Sequence, residues 1–177
     1  MKSSLFLTTF FIANIVNVLG QKLQNNVFQK FISADSVILV SHLTTSIPIV
    51  DSITKRWIGS VKLVGKNKPN YEIIKKSVRL KRNDIDSIAT ILITANKHTI
   101  IQDNSCFIPH HGILIFKKGK CSYFDICFGC RHFVSSKDIR LSDALSNKTW
   151  NDLEIFFRNR NLNYKMPGSE PETEDDN

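Results

Sequence analysis

The stretch GILIFKKGKCSYFDICF, residues 112–128, decides the fold. Two runs rich in β-branched and aromatic residues are separated by Lys117-Lys118-Gly119-Lys120, in which Gly119 tolerates the positive φ of a tight turn. A two-residue loop of Lys118 and Gly119 sets Lys117 opposite Lys120, and a three-residue loop would shift that register by one. The sequence therefore predicts an antiparallel hairpin.

The segments around this hairpin predict further strands and helices. Residues 36–42 contain the β-branched run Val37-Ile38-Leu39-Val40, which is typical of a buried strand. Residues 23–32, 84–95 and 150–159 carry apolar side chains at helical spacing. We expect Asn83 to cap the second of these helices and Thr149 to cap the third. The order of elements predicts an α+β domain in which an antiparallel sheet, with the hairpin near 112–128, packs against two or three helices.

The two ends of the chain differ in composition from the rest. Residues 1–20 begin with Lys2 and continue as a charge-free apolar run, which is typical of a signal peptide. Residues 167–177 combine five acidic residues with proline and glycine, which predicts a disordered acidic tail. We therefore expect an exported protein, periplasmic or secreted, with one domain over residues 21–166 and no transmembrane span after signal cleavage.

Charge narrows the classes of partner. The chain of 177 residues has a formal net charge of +8, although its last ten residues are acidic. The basic residues are scattered and lack the interleaved aromatics of a single-strand binder, so nucleic acid is not the expected partner. Binding of anionic envelope polymers stays open, with the acidic tail shielding the basic surface.

The cysteines and histidines are concentrated around the hairpin. In the predicted register, Cys127 lies opposite His110 and Cys130 lies opposite Phe107, beside Cys106. The predicted site therefore consists of Cys106, His110, Cys127 and Cys130 at the open end of the hairpin. His111 and His132 are possible substitute ligands, and Asp125 is a possible partner that orients a histidine. Cys121 is excluded, since six residues of strand place it roughly 20 Å from Cys127, beyond the reach of a disulfide.

Three interpretations of this site remain open. The first is a structural disulfide, between Cys106 and either Cys130 or Cys127. The second is a tetrahedral zinc site made of the three thiolates and the His110 imidazole. The third is a redox or nucleophilic cysteine, with His110 or His111 as its base, although no helix is predicted to follow Cys130. By itself, His42 at the end of its apolar strand is more typical of a structural histidine than of a ligand.

These residues resemble a group of small exported proteins of Bacteroidota that have no established biochemical function. The similarity is carried by Cys106-x-x-Pro109-His110-His111 and by Cys127-Phe128-Gly129-Cys130, and it extends over most of the chain after residue 20. The resemblance implies export and a single domain, and it implies no activity. We interpret the protein as a non-catalytic binding or structural module. The alternatives are a zinc-dependent or thiol-based enzyme at the same cluster, and a basic module that binds anionic polymers.

Overall fold

The computed structural model describes residues 26–45, 48–50, 52–54, 57–94, 107–141 and 145–169. The predicted signal peptide, Cys106 and most of the predicted acidic tail lie outside these residues. The elements in chain order are α1 (26–32), β1 (Ser36–His42), β2 (Pro48–Val50), β3 (Trp57–Ser60), β4 (Val64–Gly65), β5 (Lys68–Pro69), β6 (Ile74–Arg79), α2 (Arg82–Ile93), β7 (His111–Lys117), β8 (Lys120–Cys127), β9 (His132–Ser135) and α3 (Asn147–Arg158). The α+β class is confirmed.

The main sheet is antiparallel and has five strands in the order β6-β1-β7-β8-β9. β1 occupies the second position, where it pairs with β6 on one side and with β7 on the other. Strands β2 and β3 form a separate two-stranded sheet, as do β4 and β5. None of the helices in the described part of the chain has the length and apolar character that a membrane crossing requires.

The predicted hairpin and its register are confirmed. Lys117 pairs with Lys120, and Phe116 pairs with Cys121, so the loop consists of Lys118 and Gly119. Both loop residues have positive φ, 49° and 73°. Two consecutive left-handed residues match the right-handed twist of the flanking strands, which is why short hairpins favour this turn.

The three helices cover one face of the sheet and form the main core with it. Because side chains alternate along a strand, residues such as Leu39, Ile113 and Phe124 point to this face. They pack with apolar residues of all three helices, including Phe31 of α1, Ile88 of α2 and Phe157 of α3. The predicted apolar stripes of α2 and α3 are both buried, as the sequence indicated.

Both predicted helix caps are wrong by a few residues. Helix α2 begins at Arg82, so Asn83 lies inside it, and its N-cap Lys81 makes no side-chain cap bond. Helix α3 begins at Asn147, because the Ser146 hydroxyl accepts a hydrogen bond from the Thr149 N–H at 3.1 Å. Thr149 is thus the capped residue and not the cap.

The opposite face of the sheet is covered by the segment that leads into β4. Leu63 and Val64 pack there against Val40, Leu114 and Cys121 in a second, smaller core. This contact requires Gly112 of β7. A Cβ atom at position 112 would lie 2.6 Å from Leu63 Cδ2 and 3.1 Å from the Phe124 carbonyl oxygen.

We predict that Gly112→Ala lowers the free energy of unfolding by about 1–3 kcal/mol, the usual cost of overpacking. Leu63 has to move away from the sheet to admit the methyl group, and the Phe124 backbone cannot yield easily. Urea denaturation measures the loss. Gly65→Ala is the matched control, since a Cβ atom at position 65 meets nothing within 4 Å. Equal stability of the two variants would contradict the close packing of Leu63.

Candidate functional site

A buried pair of ionisable side chains lies on the face of the sheet that the helices leave free. His42 is the last residue of β1, and Asp125 lies in β8, so β7 separates their strands. Across β7, Gly112 pairs with Val40 on one side and with Asp125 on the other. His42 Nε2 lies 3.1 Å from Asp125 Oδ1. The side chains are 0% and 8% exposed, so the pair is almost completely removed from water.

The surroundings of both side chains favour the charged form of the pair. Asp125 Oδ2 accepts a hydrogen bond of 2.7 Å from the Thr45 hydroxyl. The other ring nitrogen of His42, Nδ1, lies 2.6 Å from the Leu43 carbonyl oxygen. Because both ring nitrogens face acceptors, only the doubly protonated imidazolium supplies a proton to each. The alignment of Nε2 with Oδ1 falls short of a good hydrogen bond, so their attraction is mainly ionic.

The pKa of His42 reflects two opposing effects. Burial is the largest effect and by itself lowers the pKa. The Asp125 carboxylate and the nearby carbonyl groups of Leu43 and His111 together outweigh burial, so the pKa lies above its ordinary value. The Asp125 carboxylate thus favours the positively charged form of His42.

Asp125 also forms part of the wall of a pocket of about 240 Å³. Both polar and apolar residues line this pocket: Thr45, Ser60, Val61, Lys62, Leu63, Phe107, Tyr123, Asp125 and Val134. Aromatic rings and Val134 form apolar walls, while the carboxylate and the Thr45 hydroxyl are the buried polar groups. Pockets that combine apolar walls with a few fixed polar groups are typical of small-molecule sites.

The structure separates the two adjacent histidines that the sequence placed in one cluster. His110 is half-buried, with Nδ1 3.3 Å from the His42 carbonyl oxygen and its ring 5.5 Å from that of Tyr164. His111 points to the opposite face, where its ring packs edge-on against Phe128 and Phe157. His111 is therefore not a substitute ligand for the predicted site. Successive residues of a strand point to opposite faces, which rules out a shared site for both.

Burial keeps both of these histidines neutral. It lowers the pKa of His110 below its ordinary value. It lowers the pKa of His111 to about 3, and the nearby positive charge of His42 adds to this effect. No hydrogen-bond partner among the described residues faces His111 Nε2. The neutral His111 ring thus packs in the main core as an aromatic side chain.

The disulfide in the structure joins Cys127 to Cys130. The predicted pairing of Cys106 with either of these residues is therefore wrong, since each sulfur is already bonded to the other. Residues 128–131 form a turn that brings the two Cα atoms to 5.4 Å, whereas an extended chain would hold them about 10 Å apart. In this turn the Arg131 N–H donates to the Phe128 carbonyl oxygen at 3.3 Å, and the positive φ belongs to Arg131.

Other predictions about the cysteines have different outcomes. Cys121 is free and buried opposite Phe116, as its distance from Cys127 predicted, and burial raises its pKa to about 11. A zinc site that uses Cys127 and Cys130 needs both as thiolates, so it and this disulfide exclude each other. Among the described residues, no three His, Cys, Asp or Glu side chains are placed to share a metal ion. Cys106 is not among them, and the zinc site stays a prediction.

His132 and Asp125 both lie near the disulfide, on the same face of the sheet. His132 pairs with Cys127 across β8 and β9, and its ring packs edge-on against Phe107 at 5.1 Å. Asp125 does lie beside a histidine, but that histidine is His42 and not a residue of the predicted cluster. His42 and Thr45 belong to this site, although no local sequence pattern predicts them as site residues. Both residues come close to Asp125 only because β1 pairs with β7, and no local sequence motif predicts that pairing.

We predict that Asp125→Asn lowers the pKa of His42 below 6.5, because burial remains while the carboxylate is lost. The histidine Hε1 resonances in an NMR titration measure this midpoint. At pH 6 the variant should lose about 3–5 kcal/mol of unfolding free energy, the usual cost of breaking a buried pair. Since the His42 pKa is raised in the folded chain, this difference should diminish as pH rises through that pKa.

Asp86→Asn is the matched control for this variant. Asp86 forms an ion pair with Arg82 on the surface of α2, with both side chains at least half exposed. Its removal should change the unfolding free energy by less than about 1 kcal/mol and should leave the His42 midpoint unchanged. An unaltered His42 midpoint in Asp125→Asn would show that the ion pair does not control this histidine.

We predict a loss of stability in acid that depends on His111. Its pKa is about 3 in the folded chain and roughly 6.5 when unfolded, so below pH 6.5 only the unfolded chain gains this proton. When the pH is lowered from 7 to 5, the unfolding free energy of the parent should therefore fall by about 2 kcal/mol more than that of His111→Phe. Urea denaturation at both pH values measures the difference. Equal losses in the two proteins would mean that His111 titrates normally in the fold.

Comparison with known proteins finds no match, since no family model, curated protein or solved structure matches this chain. The resemblance to small exported proteins of Bacteroidota therefore stays a prediction drawn from the cysteine and histidine motif. The role of the site has to be inferred from its own geometry.

Proposed function

We propose that this chain is an exported, single-domain and non-catalytic binding module that holds a small ligand in the pocket beside Asp125. The observation that carries this proposal is a buried carboxylate, charge-balanced by His42, in the wall of a cavity. Each buried ion costs several kcal/mol of desolvation, and apolar residues would usually stabilise a sheet equally well or better. A role for the carboxylate in contacting a ligand accounts for that cost.

The chemistry of the wall indicates the kind of ligand. A carboxylate has about four acceptor positions and no donor. Thr45 takes one position on Oδ2, and His42 faces Oδ1, so positions remain for hydrogen-bond donors from the cavity. Phe107, Tyr123 and Val134 offer apolar surface beside it. We infer a ligand with a donor group, such as an ammonium or amide, on a compact apolar body.

The size of the pocket limits the ligand. Its volume of about 240 Å³ is below the roughly 300 Å³ at which pockets for drug-sized molecules begin. A single ring or a short chain with one polar end fits such a volume. Larger polymers would contact only the rim, where Lys62 is exposed.

Two features support the export part of the proposal. The charge-free apolar run of residues 1–20 is typical of a signal peptide. A disulfide within the domain, between Cys127 and Cys130, suits an oxidising compartment, because cytosolic thiols are kept reduced. Together they favour a periplasmic or secreted protein.

Benzylamine and benzoate test the proposed ligand class, because they share a ring and differ in the charge and donor capacity of the polar group. In two-dimensional NMR titrations, benzylamine should shift the backbone amides of Thr45, Asp125 and Val134, and benzoate should not. Asp125→Asn should weaken benzylamine binding at least tenfold, on the order of 1.4 kcal/mol. Asp86→Asn, whose carboxylate lies on the surface of α2, should bind like the parent.

Two results would contradict the proposal. Equal binding of benzoate would mean that the carboxylate does not select the ligand. Unchanged benzylamine binding by a folded Asp125→Asn variant, verified from its NMR spectrum, would place the ligand elsewhere.

A further inference from the structure

The Cys127–Cys130 disulfide contributes little as a structural staple. A disulfide stabilises mainly by restricting the unfolded chain, and this effect is smallest for the shortest loops. Here the bond links residues only three apart in sequence. The same turn is already closed by the pairing of Cys127 with His132, at the point where β8 passes into β9. Stability is therefore a weak reason for two cysteines at these positions.

The two cysteine residues differ in exposure. Cys127 is the last residue of β8 and is 5% exposed, whereas Cys130 lies in the turn and is partly exposed. Attack by an external thiolate on a disulfide requires access to one sulfur. This difference in exposure favours attack at Cys130, with Cys127 as the leaving group.

The surroundings favour Cys127 as a leaving group. The Cys130 N–H points at Cys127 Sγ, with a nitrogen-to-sulfur distance of 3.2 Å. Hydrogen bonds and nearby positive charge stabilise a thiolate, and a more stable thiolate leaves faster. His132 lies directly across the ladder from Cys127. Arg131, the residue after Cys130, carries a positive charge, and its guanidinium donates to the amide oxygens of Asn147 and Asn151.

We propose that Cys127–Cys130 is a thiol–disulfide exchange site, an activity separate from ligand binding beside Asp125. A thiolate of an external dithiol attacks Cys130 Sγ, a mixed disulfide forms, and Cys127 leaves as a thiolate. The second thiol of the dithiol is then deprotonated. It attacks the dithiol sulfur that is bonded to Cys130 Sγ, and the Cys130 thiolate is released. The external dithiol is thereby oxidised to a disulfide, the protein disulfide is reduced to two thiols, and the two protons pass to the protein thiolates. The reverse sequence reduces an external disulfide.

Glutathione is a suitable probe of this proposal, with the thiol state measured by alkylation and mass spectrometry. In the full chain, reduced glutathione should open the Cys127–Cys130 bond reversibly while the circular dichroism spectrum stays that of the folded protein. In Cys127→Ser, oxidised glutathione should leave a stable adduct on Cys130, located by peptide mapping. In Cys130→Ser, the buried Cys127 should form its adduct at least tenfold more slowly.

Two further variants keep the test decisive. Cys121→Ser removes the free buried thiol of β8 and should exchange at the parental rate. Arg131→Gln retains every cysteine and removes the positive charge next to Cys130. It should slow the opening of the bond by glutathione severalfold. This variant tests the effect of the charge even if a cysteine variant fails to fold. The proposal is overturned where the bond opens only as the chain unfolds, where Cys127 and Cys130 form adducts at equal rates, or where Arg131→Gln opens at the parental rate.

Discussion

The register of the β7–β8 hairpin is the constraint on which the rest of the structure depends. A slip of one residue would turn every side chain of β8 to the other face of the sheet. In the observed register, Phe124 and Ile126 enter the core beneath the helices, while Asp125 and Cys127 point away from them. The two-residue turn at Lys118 and Gly119 therefore decides which residues stabilise the domain and which are available for chemistry.

The face of the sheet away from the helices combines a small core with the candidate site. A small apolar core around Leu63 covers its centre, and Gly112 makes that close packing possible. Beyond this core, the same face carries the His42–Asp125 pair and the disulfide. The opposite edge strand, β6, exposes Lys75, Lys76 and Arg79, and charged edges prevent strands from pairing with other chains. That function explains the charges of β6 without a polyanionic partner.

Local sequence patterns predicted much of the fold and less of the site. The hairpin register, the α+β class and the buried faces of α2 and α3 all follow from short-range periodicity and turn chemistry. The start of α3 was misplaced because Ser146, and not Thr149, is its cap. The start of α2 was misplaced because this helix begins at Arg82 without a side-chain cap, so no capping residue marks it in the sequence. The pairing of the disulfide was assigned wrongly because it depends on a turn at 128–131, which Gly129 permits but does not require. His42 was missed because its partner is 83 residues away in sequence and two strands away in the sheet.

The ion pair and the disulfide are neighbours through β8, which links the two proposed activities physically. Asp125 and Cys127 are two residues apart on one face, a separation of roughly 7 Å along a strand. Phe107 lines the pocket beside Asp125, and its ring packs against His132, the cross-strand partner of Cys127. A rearrangement of the turn on reduction would therefore reach the pocket through two side chains. The buried His42 lies at the end of β1 and contacts Asp125, so the wall of the pocket is joined to the centre of the sheet by this pair as well as by the β7–β8 ladder.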